Sequence, residues 1–143
     1  MKHFVRIVCV VIAFALLGSM TGFAEETGSR ASEFFWCYDS YLHKTSSTTF
    51  EVWFDVSALG RMEELGASYI KVQRSSDEEN WITVQTYSSD YNSDMLCENT
   101  AAHASYVSYT GRSGYYYRAY VTFYAKNSNG EGYRFFYTET IWL

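Results

Sequence analysis

His43 and His103 are the two histidines beyond the N-terminal residues 1–24, and neither stands at a ligand spacing with Cys, Asp or Glu. A zinc centre has no framework here. The serines are numerous, but none lies in a Gly-x-Ser-x-Gly elbow, and no serine or cysteine sits in a recognised signature with a histidine base, so nucleophilic catalysis is unsupported. Glu63-Glu64 and Asp77-Glu78-Glu79 pair carboxylates in sequence, whereas glycoside hydrolysis needs two acids held across a cleft, which adjacency does not supply. Asp77, Glu79 and Asn80 gather the oxygen donors that calcium takes; the same residues also make an ordinary solvated turn. These patterns read as a protein that is not an enzyme and uses no cofactor or metal.

A different chemistry is carried by residues 115–127, where aromatic and small residues alternate. With the period of two that a strand imposes, Tyr117, Ala119, Val121, Phe123 and Ala125 fall on one face, and Tyr116, Arg118, Tyr120, Thr122, Tyr124 and Lys126 on the other. The first set is a core stripe and the second a tyrosine stripe around Arg118. A neighbouring final strand is expected to add Phe136 and Trp142 to that stripe, and a third strand to add Tyr69. Rigid amphipathic rings give large contact area at small entropic cost, which suits a protein partner or a sugar. The competing reading is cross-strand aromatic pairing that only stabilises a water-facing sheet.

The elements that would hold this stripe are strands. Residues 34–41 are aromatic-rich, and residues 48–56 set Phe50, Val52, Phe54 and Val56 against Thr49, Glu51, Trp53 and Asp55, which leaves Trp53 outward. Ser57 can cap a short helix near 58–65 that stops at Gly66, with Glu63 and Glu64 in its first turns. Residues 69–75 and 81–87 form a hairpin across the turn at 77–80, residues 88–101 form a polar loop, and residues 103–109 and 133–143 complete seven short strands. Their β-branched and aromatic content predicts an all-β, antiparallel immunoglobulin-like sandwich. The chain contains no proline, so charges, bulges or a partner must protect its sheet edges.

Lys2 and Arg6, the apolar run 7–17 and the small residues Gly22 and Ala24 have the form of a secretory signal peptide over residues 1–24. The run is about half the roughly 20 residues that a membrane-spanning helix needs, so no span is expected in the mature chain. Residues 25–32 read as a flexible lead-in, and 33–143 as one domain. Loss of Lys2 and Arg6 leaves 9 basic against 16 acidic residues, a formal charge of −7, which disfavours nucleic acid as a partner. In an oxidising compartment Cys37 and Cys97 suggest a disulfide closing a loop of about 60 residues, worth about 4 kcal/mol in the chain-entropy model. The alternative is two unpaired thiols acting as small hydrophobes.

From Tyr69 onward the sequence resembles a fibronectin type III domain. Residues 70–77 running into Trp81 are similar to that family's third strand and turn, and Tyr117, Ala119, Val121, Phe123, Ala125 and Asn127 with Gly130-Glu131-Gly132 to its sixth strand and final hairpin. The first half departs from the family in lacking a proline-rich lead-in, in the outward Trp53 and in the extra segment 57–66. The whole chain also resembles short secreted proteins of unknown function from Gram-positive bacteria, built of a signal peptide and one such domain. The resemblance implies a fold used as spacer, adhesion surface or sugar-binding accessory. The expectation is therefore a secreted, extracellular, non-catalytic binding module using its aromatic sheet face on a protein or glycan. Its rivals are a carbohydrate-binding module, with co-planar rings flanked by amides or carboxylates, and a small self-assembling structural protein.

Overall fold

Alternation of Phe50, Val52, Phe54 and Val56 with more polar residues predicts a strand that buries one face. In the computed structural model, which describes residues 33–143, these four side chains are at most 1% exposed. The expected signal peptide and lead-in, residues 1–24 and 25–32, lie outside the described residues. The strand does not end where the alternation fades. It continues as β2 (Thr49–Ser75), 27 residues long, where typical strands have three to ten.

All the other strands but two attach directly to β2. β1 (Phe35–Lys44) pairs with its first half, β3 (Ile82–Ser88) with its last third and β4 (Leu96–Thr110) with residues 49–66. β5 (Tyr116–Asn127) pairs with residues 64–75, and β6 (Gly130–Tyr137) and the short β7 (Ile141–Trp142) pair with β5. Among the described residues every pairing is antiparallel, in one seven-stranded sheet. A straight β2 would run about 90 Å at about 3.3 Å per residue, far beyond a domain of this size. Register shifts between Ser57 and Met62, Ala67 and Tyr69, and Val72 and Gln73 bend it, as bulges do. The sheet curls into a half-barrel, which brings β1 against β5 and β6. Tyr38 of β1 lies 5.2 Å from the Phe123 ring and 6.3 Å from Phe136.

The core inside this curl joins Phe50, Phe54, Leu65, Ile70, Tyr117, Val121 and Phe123, all at most 1% exposed. Buried Tyr117 satisfies its hydroxyl on the backbone of Arg112, accepting from the amide at 2.7 Å and donating to the carbonyl at 3.1 Å. Burying that hydroxyl without partners would be costly.

The helix expected near 58–65 is absent, and no α-helix occurs among the described residues. That segment is instead the bend of β2: residues 59–61 bulge into solvent while Met62 and Leu65 turn inward. An eight-residue helix nucleates poorly, whereas here β4 and β5 offer ladder partners on both edges, with Glu64 opposite Glu98 and Lys126. Gly66 is no helix stop. Its φ is +156°, and a Cβ there would collide with the carbonyl oxygen of Met95. The polar loop expected over 88–101 contains a 3-10 turn, Ser93–Met95, and the start of β4.

The expected Cys37 to Cys97 disulfide is not formed; both thiols are free. Cys37 lies opposite Ser57 on β1 and Cys97 opposite Leu65 on β4. β1 and β4 flank β2, so two inter-strand spacings, about 9.5 Å, separate them before the offset along β2 is counted. A disulfide tolerates at most about 7 Å between Cα atoms.

Candidate functional site: an aromatic sheet face with charged ends

The core parity of β5 is as the alternation predicts, since Tyr117, Ala119, Val121, Phe123 and Ala125 are all 0% exposed. Its other parity, with the in-register residues of β2, β4, β6 and β7, builds the outer face. Trp142 stands opposite Tyr116, with ring centroids 4.6 Å apart. Next comes Arg118 opposite Gln73, then Tyr120 between Lys71 and Tyr137, then Thr122 between Tyr69 and Phe135. Tyr124 follows between Gly66 and Tyr133, and the last row is Glu98, Glu64, Lys126, Glu131.

Of the residues expected on this face, Tyr69, Tyr116, Arg118, Tyr120, Tyr124 and Trp142 are brought together. Phe136 is not among them. It stands opposite Val121 and packs against the core through Tyr38. Its neighbours Tyr133, Phe135 and Tyr137 occupy the face instead and are 43%, 60% and 52% exposed. Trp81, from the turn before β3, is also recruited. With Tyr69 and Trp142 these rings make a contiguous exposed patch, which is uncommon on a monomer's surface.

Arg118 is the fixed point of the patch. Its guanidinium lies 4.2 Å from the Trp81 ring centroid and 4.5 Å from that of Tyr137, and its Nε donates to Gln73 Oε1 at 2.8 Å. Two cation–π contacts and a hydrogen bond hold its charge against two rings. The ring pairs around it are tilted: 47° for Tyr120 and Tyr137, 45° for Tyr124 and Tyr133, 63° for Tyr116 and Trp142. Only Tyr120 and Phe135 are parallel, within 6°.

The opposite end of the face is acidic. Tyr124 donates to Glu131 Oε2 at 3.0 Å, and Tyr133 to Oε1 at 3.4 Å. Burial first, then the Glu131 hydrogen bond and the charges of Glu131 and Glu64, hold the Tyr124 phenol well above its ordinary ionisation range. Burial and Glu131 push Tyr133 the same way, and burial with Tyr137 does so for Tyr120. Tyr120, Tyr124 and Tyr133 therefore keep their protons to higher pH than a free tyrosine.

Other groups weighed for chemistry are dispersed. His43 is exposed on β1 opposite Glu51, while His103 on β4 lies with Nε2 2.8 Å from the Asp94 carbonyl oxygen. Asp77 spends both oxygens on its own turn, accepting from Ser75 Oγ, the Glu79 and Asn80 amides and Asn80 Nδ2. Those bonds hold its carboxyl far below the usual range. Trp53 faces outward as expected, parallel within 4° to Tyr41 and within 26° to Tyr106 across three strands. No protein-family model matches the chain, and no curated protein matches its sequence.

Proposed function

We propose that the chain is a secreted, non-catalytic domain of the immunoglobulin-like, fibronectin type III kind that binds an extracellular protein through its aromatic face. The single observation that carries this reading is the contiguous exposed patch of Tyr69, Tyr133, Phe135, Tyr137 and Trp142 around a guanidinium already immobilised by Trp81 and Tyr137. Aromatic and arginine side chains held rigid before binding are what protein interfaces favour at their centres.

Strand order supports the fold reading. The half of β2 between β1 and β4, and the half between β3 and β5 with β6 beyond, correspond in order to the two sheets of such a sandwich if its second and third strands are fused. Tyr117, near the start of β5 and bonded to backbone five residues upstream, resembles the tyrosine corner of immunoglobulin-like domains. Among the described residues no helix is long and apolar enough to cross a membrane.

A linear sugar stacks best on rings sharing a plane, and the tilts on this face weigh against that occupant. The glycan reading is favoured only by the outer face of the β1–β2–β4 half, where Tyr41, Trp53 and Tyr106 stack beside Glu51. The test is a binding screen of residues 25–143 against extracellular proteins and a glycan panel. Loss of binding in Tyr120→Ala and Tyr137→Ala supports the proposal. Loss confined to Trp53→Ala transfers the function to the other face, and a partner insensitive to all three overturns it. Sedimentation at rising concentration identifies self-assembly as the occupant if binding is to a second copy.

A further inference from the structure

We propose that the hollow beside Gly66 receives the guanidinium of an arginine presented by an extracellular protein partner. This deepens the reading of the aromatic face and rests on it. The hollow, about 230 Å³, is bordered by Glu64, Asp90, Leu96 and the rings of Tyr69, Tyr124 and Tyr133. Gly66 stands in register with Leu96 and Tyr124 of that border, and the space a Cβ would take at Gly66 is filled by the Met95 carbonyl.

Two features select the occupant. Its charge is acidic: Glu64 and Asp90 are the two charged residues of a border that also includes Ser68 and Ser89, Glu131 accepts the hydroxyls of Tyr124 and Tyr133, and Lys126 stands in register between Glu64 and Glu131. Aromatic rings also border the hollow, with Tyr124 and Tyr133 5.1 Å apart at 45° and Tyr69 45% exposed beside them. A planar cation that stacks on rings and pairs with carboxylates satisfies both features; a guanidinium does so better than a compact, strongly hydrated ammonium. The same face already does this internally, with Arg118 between Trp81 and Tyr137. The hollow is open and continuous with the Tyr120, Phe135 and Tyr137 band, so a free cation would stay largely hydrated there. A side chain delivered by a surface that also covers the band would not.

The test uses isotope-labelled protein, residues 25–143, titrated with an acetylated, amidated Gly-Arg-Gly peptide and with peptides carrying citrulline or lysine in place of arginine. Saturable shifts at Tyr69, Leu96, Tyr124 and Tyr133, with a Kd in about the millimolar range, support the proposal. Binding should be about tenfold weaker for citrulline, weaker for lysine, and about tenfold weaker in Glu64→Gln/Asp90→Asn. No saturable shift, equal binding of citrulline, or shifts centred on Arg118 would overturn it. Failures of the two readings are distinguishable. A protein partner lost with Tyr120→Ala but indifferent to Glu64→Gln/Asp90→Asn removes the arginine pocket and keeps the face. A partner indifferent to Tyr120→Ala removes the face and, with it, the pocket's partner.

Discussion

Replacing Phe123 by alanine and, separately, Tyr120 by alanine separates the two faces of β5 energetically. Phe123 is 0% exposed, with its ring 5.2 Å from Tyr38 and 6.4 Å from Phe54, at the place where the curled sheet closes on itself. Truncation leaves a cavity that rigid strands on both sides cannot fill, costing about 3–5 kcal/mol. Tyr120 is half-buried and makes two ring contacts, 5.8 Å to Phe135 and 4.7 Å to Tyr137. At roughly 0.5–1.5 kcal/mol per aromatic pair, its loss costs about 1–3 kcal/mol. With a urea m-value of about 1.5 kcal/mol/M, the midpoint falls by roughly 2–3 M for Phe123→Ala and by roughly 0.7–2 M for Tyr120→Ala. Equilibrium urea unfolding followed by tryptophan fluorescence measures both. Equal shifts, or a larger one for Tyr120→Ala, would refute the register, because a slip of one residue exchanges the faces.

Alkylation of denatured, unreduced protein should label both Cys37 and Cys97, and a mass consistent with a bridge would contradict their placement on strands flanking β2. Stability should fall as pH rises above about 10: the raised phenols of Tyr124, Tyr133 and Tyr120 hold their protons in the folded state after the unfolded chain has released them. Glu131→Gln should bring the Tyr124 ionisation back toward the ordinary range, read by ultraviolet titration of tyrosinate. Gly66→Ala should destabilise by roughly 1–3 kcal/mol, since both its φ and the Met95 carbonyl oppose a Cβ, and chemical denaturation with a shift of less than about 0.5 kcal/mol would show that the junction relaxes freely.

Strict alternation made β5 readable to the residue, and the first ten residues of β2 equally so. The hairpin at 69–88 was legible from Asp77 and Asn80, whose side chains do organise the turn. What escaped was set by partners rather than by local pattern. Residues 58–65 mix Met62, Leu65 and acidic residues in a way that fits a helix, and it is the pairing of Met62, Glu64 and Leu65 with β4, joined by β5 from Glu64, that makes them strand. Two expected strands therefore fuse into β2, while the expected last strand breaks at Thr138, whose side chain accepts from the Ala119 amide, into β6 and β7. Phe136 was misplaced because residues 135–137 are all aromatic, leaving local parity ambiguous. The resolving signal was in the sequence: a two-residue loop, Ser128-Asn129, pairs Asn127 with Gly130 and thereby carries Tyr133, Phe135 and Tyr137 to the tyrosine side.

The fused strand β2 has a consequence for how binding would be felt. Because one continuous backbone serves both sides of the bend, melting either side strips the other of its central ladder, and the domain is expected to open in a single cooperative step rather than in parts. A ligand seated on β5 and β6 thus protects amides on β1 and β4 that it never touches. At a concentration 100 times its Kd it raises the stability of the whole domain by about 2.7 kcal/mol. Slowed hydrogen exchange at Val52 and Val107, both buried in the β2–β4 ladder, would then report occupancy of a surface on the far side of the bend.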